Sequence, residues 1–313
     1  MEREPHGHRA SRLIVATPEQ PSATNLDGKR IVVTGSSRGL GRGFAIALAA
    51  AGAQVVVNGT DPEALAATEA AIVAAGGRCE PVVGSVADDA VAEALVAACV
   101  RTFGGIDAVV NNAGIVRDRT LLNMTPTEFD EVIAVNLRGT WSTSRHAARA
   151  MKDAGNGGLL LQVISGSAFV GSVGQTNYAA SKAGVMGMLY SWDVELAKIG
   201  VRTNALWPIG QTDMTQVVFE GARKRAESAG REAPSPRSMG FGLPEEIAPV
   251  VVYLCSDAAA HLRSQLVTFN GRKLALWQHP SEVWIERREQ GWTADDIAAA
   301  LPTDQQPVYR PEM

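Results

Sequence analysis

The sequence predicts an α/β protein built on a doubly wound parallel sheet. From residue 30 onward, short runs of β-branched and apolar residues alternate with longer segments rich in Ala and Leu. This alternation is typical of strands that are joined by crossover helices rather than by hairpins. The chain has 313 residues, which suffices for one large domain of about 250 residues with additional tails.

The predicted elements follow one another along the chain. The first strand begins at Arg30, and the helix after it reaches Ala51. Asp61-Pro62 opens the next helix as N-cap and first-turn proline. Thr125-Pro126-Thr127-Glu128 forms a capping box for a long helix toward Met151. Later strands are predicted at residues 54–58, 79–83, 106–110, 159–164, 201–206 and 265–269, the last of which ends the sheet. Further helices are predicted at residues 88–103, 176–199 and 244–254.

Composition argues against several classes of function. The net charge is −4 and no run rich in Lys and Arg occurs, so we expect no nucleic-acid partner and no membrane association. Cys79, Cys99 and Cys255 have neither disulfide nor zinc spacing, so no metal site is expected. There is no signal-peptide core and no apolar span of about eighteen residues. We therefore expect a cytoplasmic protein that acts on a small molecule.

A glycine-rich loop follows the first strand. Gly35, Gly39 and Gly41 would permit a tight turn and let a pyrophosphate approach the backbone. The N–H groups at the start of the next helix would face the same anion. The predicted cofactor-binding loop comprises these three glycines together with Ser37, Arg38 and Leu40.

A second group of polar residues lies between residues 165 and 182. Tyr178 and Lys182 are four residues apart and would share one face of a helix. A nearby ammonium lowers the pKa of a phenol, so the pair could move a proton at neutral pH. Ser165 precedes Tyr178 across a Gly-rich turn and could hydrogen-bond the same substrate oxygen. The three side chains predict a site for a carbonyl oxygen that gains charge.

These residues, together with Asn111-Asn112-Ala113-Gly114, resemble the short-chain dehydrogenase/reductase family over residues 28–271. The resemblance implies a single Rossmann-type domain with about seven parallel strands and helices on both faces of the sheet. It also implies reversible hydride transfer between a nicotinamide cofactor and a ketone or secondary alcohol.

The resemblance assigns roles to individual residues. Tyr178 would be the general acid in reduction, Ser165 would polarise the carbonyl, and Lys182 would lower the pKa of Tyr178 and hold the nicotinamide ribose. Asn136 lies inside a predicted helix, where Asn is usually a tolerated surface residue, but it matches a family asparagine that holds a water molecule beside the lysine. The positions that match cofactor contacts in the family are Asn112, Ala113, Gly114, Tyr178, Lys182, Pro208 and Thr212.

Two segments depart from the family pattern. Pro208-Ile209-Gly210 lacks the glycine that usually follows the proline, which leaves the conformation of this loop open. Asn270-Gly271-Arg272 stands where the family has Asp-Gly-Gly. Residues 215–241 are polar and rich in Gly, Pro and basic residues, which is typical of a mobile flap over the substrate.

The end of the second strand bears on cofactor choice. In relatives that prefer NAD, an acidic residue follows this strand, whereas this sequence has Gly59. Arg38 matches a basic residue that is directed at the 2′-phosphate in relatives that prefer NADP, and a guanidinium suits that group. Asp61 could instead reach the ribose, although Pro62 favours a helix N-cap. NADP(H) is therefore favoured, with NAD(H) as the alternative.

The substrate is less sharply indicated. The segment around Tyr178 resembles 3-oxoacyl thioester reductases, and the tail around Leu276-Trp277 resembles (3R)-hydroxyacyl-CoA dehydrogenases. Relatives that act on steroids, sugars or quinones keep the same motifs. A non-catalytic nucleotide-binding regulator would typically have lost Tyr or Lys, and extended dehydratases or epimerases usually carry a different glycine loop.

The predicted organisation has three parts. Residues 1–26 form a flexible leader, residues 27–272 form the domain, and residues 273–313 form an extension. The extension carries Trp277, Trp284 and Trp292, which are too apolar to leave in water and should pack on this subunit or a neighbour. A homo-oligomer, either a tetramer or a dimer, is expected through the helices at 125–151 and 176–199, as is common in the family.

Overall fold

The computed structural model describes residues 24–282 and 284–301 of the chain. Its centre is one sheet of eight strands. The strands are β1 (Arg30–Val33), β2 (Gln54–Gly59), β3 (Arg78–Val83), β4 (Ala108–Asn111), β5 (Gly158–Val163), β6 (Val201–Pro208), β7 (Gln265–Phe269) and β8 (Leu274–Leu276). The α-helices are α1 (Gly39–Ala50), α2 (Pro62–Ala74), α3 (Asp89–Phe103), α4 (Pro126–Val132), α5 (Thr140–Ala154), α6 (Ser167–Val170), α7 (Thr176–Leu196), α8 (Gln216–Ser228), α9 (Pro244–Cys255) and α10 (Ala294–Ala300).

The order of strands across the sheet is β3-β2-β1-β4-β5-β6-β7-β8. All pairs from β3 to β7 are parallel, and only β8 runs antiparallel to its neighbour. The order reverses direction after β3, so the doubly wound parallel sheet is confirmed. The carboxyl ends of β1 and β4 therefore meet at one edge, where ligands bind in such sheets.

The prediction that the strand at residues 265–269 ends the sheet was wrong. After β7, a tight turn reverses the chain and β8 pairs Leu276 with Val267 and Leu274 with Phe269. A strand of three residues is too short to show an alternating pattern in the sequence. The last strand of the sheet therefore lies in the segment that we assigned to the C-terminal extension.

Both faces of the sheet are covered by helices. Ile31 and Val33 point toward α1 and α9, whereas Val32 between them points toward the other face, because successive strand side chains alternate. On the first face Phe44 and Leu254 are fully buried. Burial of one such side chain contributes roughly 1.5–3 kcal/mol. These two apolar layers hold the strand ends, and thus the site, in a fixed arrangement.

The long helix predicted toward Met151 has an irregular centre. Residues Ile133–Gly139 between α4 and α5 form π-helical turns, and the helical path continues to Ala154. The capping box at its start is present, since Thr125 accepts from the Glu128 N–H and Glu128 accepts from the Thr125 N–H. Wide turns of this kind are frequent at functional sites. Asn136 lies within them.

The structure describes only the last residues of the predicted leader. Of the predicted leader, residues 1–23 lie outside the described residues. Leu26 is fully buried and donates its N–H to the carbonyl of Ala51 at 2.8 Å. The predicted flap contains the helix α8, which begins directly after a 3₁₀ turn at Asp213–Thr215. None of the helices in the described ranges has the length and apolar character needed to span a bilayer.

The three tryptophans of the extension lie in different environments. Trp277 stacks on Phe169 with ring centroids 5.1 Å apart, so it packs on its own subunit. Trp292 lies beneath the guanidinium of Arg288, which is 4.3 Å from its ring centroid. Trp284 remains exposed in the single chain. Residues 302–313 of the predicted extension lie outside the described residues.

Candidate active site

A cleft of about 1630 Å³ runs along the carboxyl ends of the strands. Its walls contain every residue that the sequence predicted for the site except Asn136. These residues are Gly35, Ser37, Arg38, Gly39, Leu40, Gly41, Asn112, Ala113, Gly114, Ser165, Tyr178, Lys182, Pro208 and Thr212. The structure thus brings together residues that are up to 177 positions apart in the chain, from Gly35 to Thr212.

The glycine loop needs glycine because other backbone passes against it. Gly35 has a φ of +61°, and a Cβ there would lie 2.7 Å from the Cα of Ala113. A Cβ on Gly41 would collide with the carbonyl oxygen of Gly35 and the side-chain nitrogen of Asn112. Helix α1 starts beyond Arg38, whose side chain makes no capping hydrogen bond. The first N–H groups of α1 are therefore not satisfied by a side-chain cap, which suits a bound phosphate.

The segment after β4 is tied to the end of β1. The Asn112 side chain donates to the carbonyls of Thr34 at 3.1 Å and Gly35 at 2.9 Å. The Thr34 hydroxyl accepts from the N–H groups of Asn112 and Ala113, each at 3.0 Å. These bonds fix two neighbouring strand ends relative to each other. The resulting concave backbone surface fits a dinucleotide in shape and in hydrogen-bond donors.

Asn136 lies behind the wall of the cleft and is fully buried. Its amide oxygen accepts from the Ile115 N–H at 2.8 Å, and its nitrogen donates to the Ile115 carbonyl at 3.0 Å and to the Ser181 hydroxyl at 3.3 Å. A Cβ on Gly114 would lie 3.4 Å from the Asn136 oxygen and 3.6 Å from the Lys182 Nζ. Asn136 therefore joins the chain after β4 to the helix that carries Lys182.

Lys182 is buried beside the cleft, with 4% of its surface exposed. Its Nζ donates to the carbonyl of Val163 at 2.9 Å and lies 5.7 Å from the centroid of the Tyr178 ring. Burial lowers the pKa of the Lys182 ammonium to about 8. The side chain is therefore held in place at its tip and is close to titration at neutral pH.

Tyr178 is half-buried, and its side chain lines the cleft. Burial raises its pKa above the ordinary value, a hydrogen bond with Ser165 opposes that rise, and the charge of Asp118 adds to it. From the sequence, we expected only the charge of Lys182 to act on the Tyr178 pKa, by lowering it. In the structure burial is the largest influence, and the extent of burial is a property of the fold that the sequence does not display.

Ser165 lies in the turn between β5 and α6. Its hydroxyl accepts hydrogen bonds from the Ser167 N–H at 3.3 Å and the Ser167 hydroxyl at 3.1 Å. Since both contacts use lone pairs of Ser165, its own hydroxyl proton is left for the Tyr178 phenol oxygen or for an oxygen in the cleft. The arrangement can therefore offer a donor to an oxygen in the cleft, next to the phenol of Tyr178.

The end of β2 excludes an acidic side chain for a steric reason. A Cβ on Gly59 would lie 2.8 Å from the Cβ and Oγ of Ser37. Asp61 caps helix α2, because its side chain accepts from the N–H groups of Glu63 and Ala64, each at 3.1 Å. This confirms the N-cap interpretation of Asp61. Its carboxylate is occupied at the helix start.

Arg38 stands at the open end of the glycine loop. Its side chain is 77% exposed and its Nε lies 3.7 Å from the Asp213 carboxylate. Such an exposed and long ion pair contributes little to stability. The guanidinium therefore keeps donors available on the cleft side of the loop.

The loop after β6 adopts an ordered conformation without the usual glycine after Pro208. The Ile209 N–H donates to the Phe269 carbonyl at 2.9 Å, and the Ile209 carbonyl accepts from the Gly242 N–H at 3.1 Å. A Cβ on Gly210 would lie 2.9 Å from side-chain carbons of both Ile247 and Leu40. Gly210 thus lies close to these two side chains, and it stands one position later than the glycine of the family pattern.

The sequence did not predict the aromatic wall of the cleft, which we define as Trp207 and Trp277. The Trp277 ring lies 5.4 Å from Trp207 and also stacks, at 5.1 Å, on Phe169, which does not itself line the cleft. Its Nε1 donates to the hydroxyl of Thr268 at 2.6 Å. The apolar character of the tail was the one signal in the sequence, and it indicated burial without a location. The strand β8 brings Trp277 into the site.

Comparisons with known proteins agree with this geometry. A family model described as short chain dehydrogenase matches residues 29–223. A hydroxyacyl-CoA dehydrogenase of Mycobacterium tuberculosis, ChsB1, is 39% identical over 302 residues, which are 91% of each chain. A 3-oxoacyl-[acyl-carrier-protein] reductase of Thermotoga maritima is 36% identical, over 79% of this chain and 98% of the relative.

Solved structures give the same result. The crystal structure of a short chain dehydrogenase from Mycobacterium avium superposes with a TM-score of 0.75 at 33% identity, covering 88% of this chain and 94% of that one. The chain belongs to the short-chain dehydrogenase family and is an NAD(P)-dependent oxidoreductase.

Proposed function

We propose that the protein transfers a hydride between NADP(H) and the ketone or secondary alcohol of a 3-oxoacyl or 3-hydroxyacyl thioester. The observation that supports this proposal is the position of Ser165, Tyr178 and Lys182 in the cleft that the glycine loop also lines. In that arrangement a carbonyl oxygen can meet two hydroxyl donors beside a bound dinucleotide. The dinucleotide supplies or accepts the hydride when it is bound.

In the direction of reduction, the proposed roles follow from the contacts. Ser165 donates a hydrogen bond from its hydroxyl to the carbonyl oxygen and so orients the carbonyl group. Tyr178 gives its phenolic proton to the same oxygen as negative charge develops there. A positive charge on Lys182 favours the phenolate that results. Asn136 keeps Lys182 and the chain after β4 in register through Ser181 and Ile115. The oxidation of an alcohol would run through the same groups in reverse.

The preference for NADP(H) is supported by the charges at the end of β2. Gly59 provides no carboxylate, and the Asp61 carboxylate is occupied by the start of α2. Arg38 is the exposed cation at this end of the cleft. A 2′-phosphate there would be attracted by the Arg38 guanidinium and would not be repelled by a carboxylate at position 59.

The thioester substrate is proposed from two observations. The two relatives described above are a hydroxyacyl-CoA dehydrogenase and a 3-oxoacyl-[acyl-carrier-protein] reductase. The first of them matches 91% of this chain, which is more than the predicted domain alone, and therefore reaches into the extension that carries Trp277. The aromatic wall gives the substrate end of the cleft an apolar surface, which suits an acyl chain.

The test is turnover with purified protein. Reduced cofactor and a panel of ketones are mixed, and the loss of the absorbance of the reduced nicotinamide is followed. We expect faster reduction of acetoacetyl thioesters than of steroid, sugar or quinone carbonyls, and faster reaction with NADPH than with NADH. Preference for one of the other carbonyl classes would contradict the thioester assignment, and absence of turnover of any carbonyl would contradict catalysis.

We also propose that the protein is a homo-oligomer, most simply a tetramer, formed through the helical path that includes α5 and through α7. Trp141 on α5 is 42% exposed and Val194 on α7 is 80% exposed in the single chain. Large apolar side chains at such positions favour burial by another copy. Light scattering at micromolar concentration should give a mass near four chains, and a monomer would contradict the proposal.

A further inference from the structure

The turn between β7 and β8 places two cations at the rim of the cleft. Its sequence is Asn270-Gly271-Arg272-Lys273, and it was noted above as a departure from the family pattern. Lys273 is exposed and forms part of the wall of the cleft, close in sequence to Trp277. The site chemistry proposed above makes no use of either cation.

The turn holds Lys273 in a fixed position. The Asn270 side-chain oxygen accepts from the N–H groups of Arg272 at 3.0 Å and Lys273 at 2.6 Å, and its nitrogen donates to the Gly240 carbonyl at 2.8 Å. Gly271 has a φ of +87°, and a Cβ there would lie 3.0 Å from the Cβ of Glu246. The Asn270 side chain therefore hydrogen-bonds both to the turn and to the chain at Gly240. Glycine is needed at position 271 because the backbone φ there is positive.

The surroundings leave the charge of Lys273 available. In the part of the chain that the structure describes, no carboxylate lies within ion-pair distance of its Nζ. The neighbouring acid, Glu246, pairs with Arg237 at 3.0 Å. Hydrogen bonding from the Leu243 N–H and the charges of Arg237 and Arg272 lower the pKa of Glu246. The rim thus presents an excess of positive charge to the cleft.

Lys273 follows a strand that lies far from β2 in the sheet. The glycine loop follows β1 and Arg38 serves the end of β2, whereas Lys273 lies between β7 and β8. From β2 to β7 there are five strand spacings of about 4.8 Å, or roughly 24 Å. We therefore assign an anion at Lys273 to the substrate, because the adenosine half of a dinucleotide would lie on the β1–β2 side of the cleft.

We propose that Lys273, supported by Arg272, binds a phosphate group in the carrier part of an acyl thioester. Coenzyme A and phosphopantetheine both carry such a phosphate. The proposal rests on the proposed function, and it adds that the enzyme selects phosphorylated thioesters over free ketones. The acyl end would lie by the aromatic wall and Tyr178, and the carrier would leave the cleft past β8.

The test compares three thioesters with the same acetoacetyl group, carried by coenzyme A, by phosphopantetheine and by pantetheine, which has no phosphate. The variant is Lys273→Met, and its matched control is Lys224→Met, since Lys224 is exposed on α8 but does not line the cleft. We expect Lys273→Met to raise KM about tenfold for the two phosphorylated thioesters and to leave kcat and the pantetheine thioester unchanged.

The outcomes separate the possible explanations. A change confined to the coenzyme A thioester would identify the phosphates of its nucleotide as the ligand, and a change in both phosphorylated thioesters would identify the phosphate next to pantetheine. Lys273→Arg should keep KM within about threefold of the original value, because the charge remains. An equal change for the pantetheine thioester, or no change for any of them, would overturn the proposal.

A second measurement does not depend on catalysis. Calorimetric titration should show that coenzyme A binds the unaltered protein at least about tenfold more tightly than it binds Lys273→Met, while pantetheine binds both equally. Turnover of the pantetheine thioester by the unaltered protein reports on the proposed function alone. Its failure would count against that function, whereas equal affinity of coenzyme A for both proteins would count against Lys273.

Discussion

The two ends of the cleft are built in different ways. At the end formed by β1 and β2, backbone passes close to backbone, and Gly35, Gly41 and Gly59 leave no room for a side chain. At the end formed by β6 to β8, large side chains make the surface, with Trp277 stacked on Phe169 and close to Trp207. A ligand at the first end would be held by peptide groups, whereas a ligand at the second end would be selected by side chains.

This difference indicates where in the cleft amino-acid substitutions are tolerated. Backbone groups offer the same donors whatever the side chains are, so the first end can bind a common cofactor. The second end can be altered by replacing a ring or a charge, and its specificity changes accordingly. Tyr178 lies between the two ends of the cleft. We expect it to determine the rate of turnover but not the affinity for the cofactor or for the substrate.

The largest expected effect is that of Tyr178→Phe. Loss of the phenolic oxygen removes the transferable proton and the hydrogen bond with Ser165 but leaves both ends of the cleft intact. Turnover should fall by about 10²–10⁴-fold, while the affinity for NADPH, measured by fluorescence titration, stays nearly unchanged. A variant with near-normal turnover would end the assignment of Tyr178 as the proton donor.

A smaller effect, confined to the first end, is expected for Arg38→Ala. The guanidinium would make charge-assisted hydrogen bonds to a 2′-phosphate, which contribute about 1.5–3 kcal/mol, or roughly ten- to a hundredfold in affinity. The affinity for NADPH should fall by that factor and the affinity for NADH should hardly change. Equal losses for both cofactors would contradict the role of Arg38. Arg223→Ala on α8 is the control, since that side chain does not line the cleft.

The smallest effect is expected at the second end for Trp277→Leu. Removing one ring from the aromatic wall costs about 0.5–1.5 kcal/mol of stacking, or roughly two- to tenfold in binding. We expect a rise of that size in KM for acetoacetyl-CoA with no change in the affinity for NADPH. The control is Trp292→Leu, because Trp292 lies outside the cleft. If the cofactor affinity fell as well, the two ends would not be independent.

Local patterns in the sequence predicted many of the residues that line the cleft. The spacing of Gly35, Gly39 and Gly41 and the position of Tyr178 four residues before Lys182 depend on neighbours along the chain, so their placement in one cleft could be expected. The cap of α2 by Asp61 is local in the same sense. Each of these features can be inferred from a stretch of fewer than ten residues.

Features that depend on contacts between distant segments were not predictable in this way. Strand β8 pairs only because the turn at Asn270 brings it beside β7, and Trp277 enters the cleft as a consequence. The π-helical turns at Ile133–Gly139 have no signature that separates them from an ordinary helix. The pKa of Tyr178 is raised mainly by burial of the phenol, and the fold sets the extent of that burial.

The short strand β8 also affects how the protein behaves in concentrated solution. A parallel sheet that ended at β7 would offer the free hydrogen-bonding groups of Gln265–Phe269 to any passing strand. Strand β8 covers part of that border and is itself only three residues long. On the opposite border β3 contains Pro81, which cannot donate to a further strand. Both borders of the sheet thus give a poor template for aggregation, and a chain cut before Leu274 would lose this protection along with Trp277.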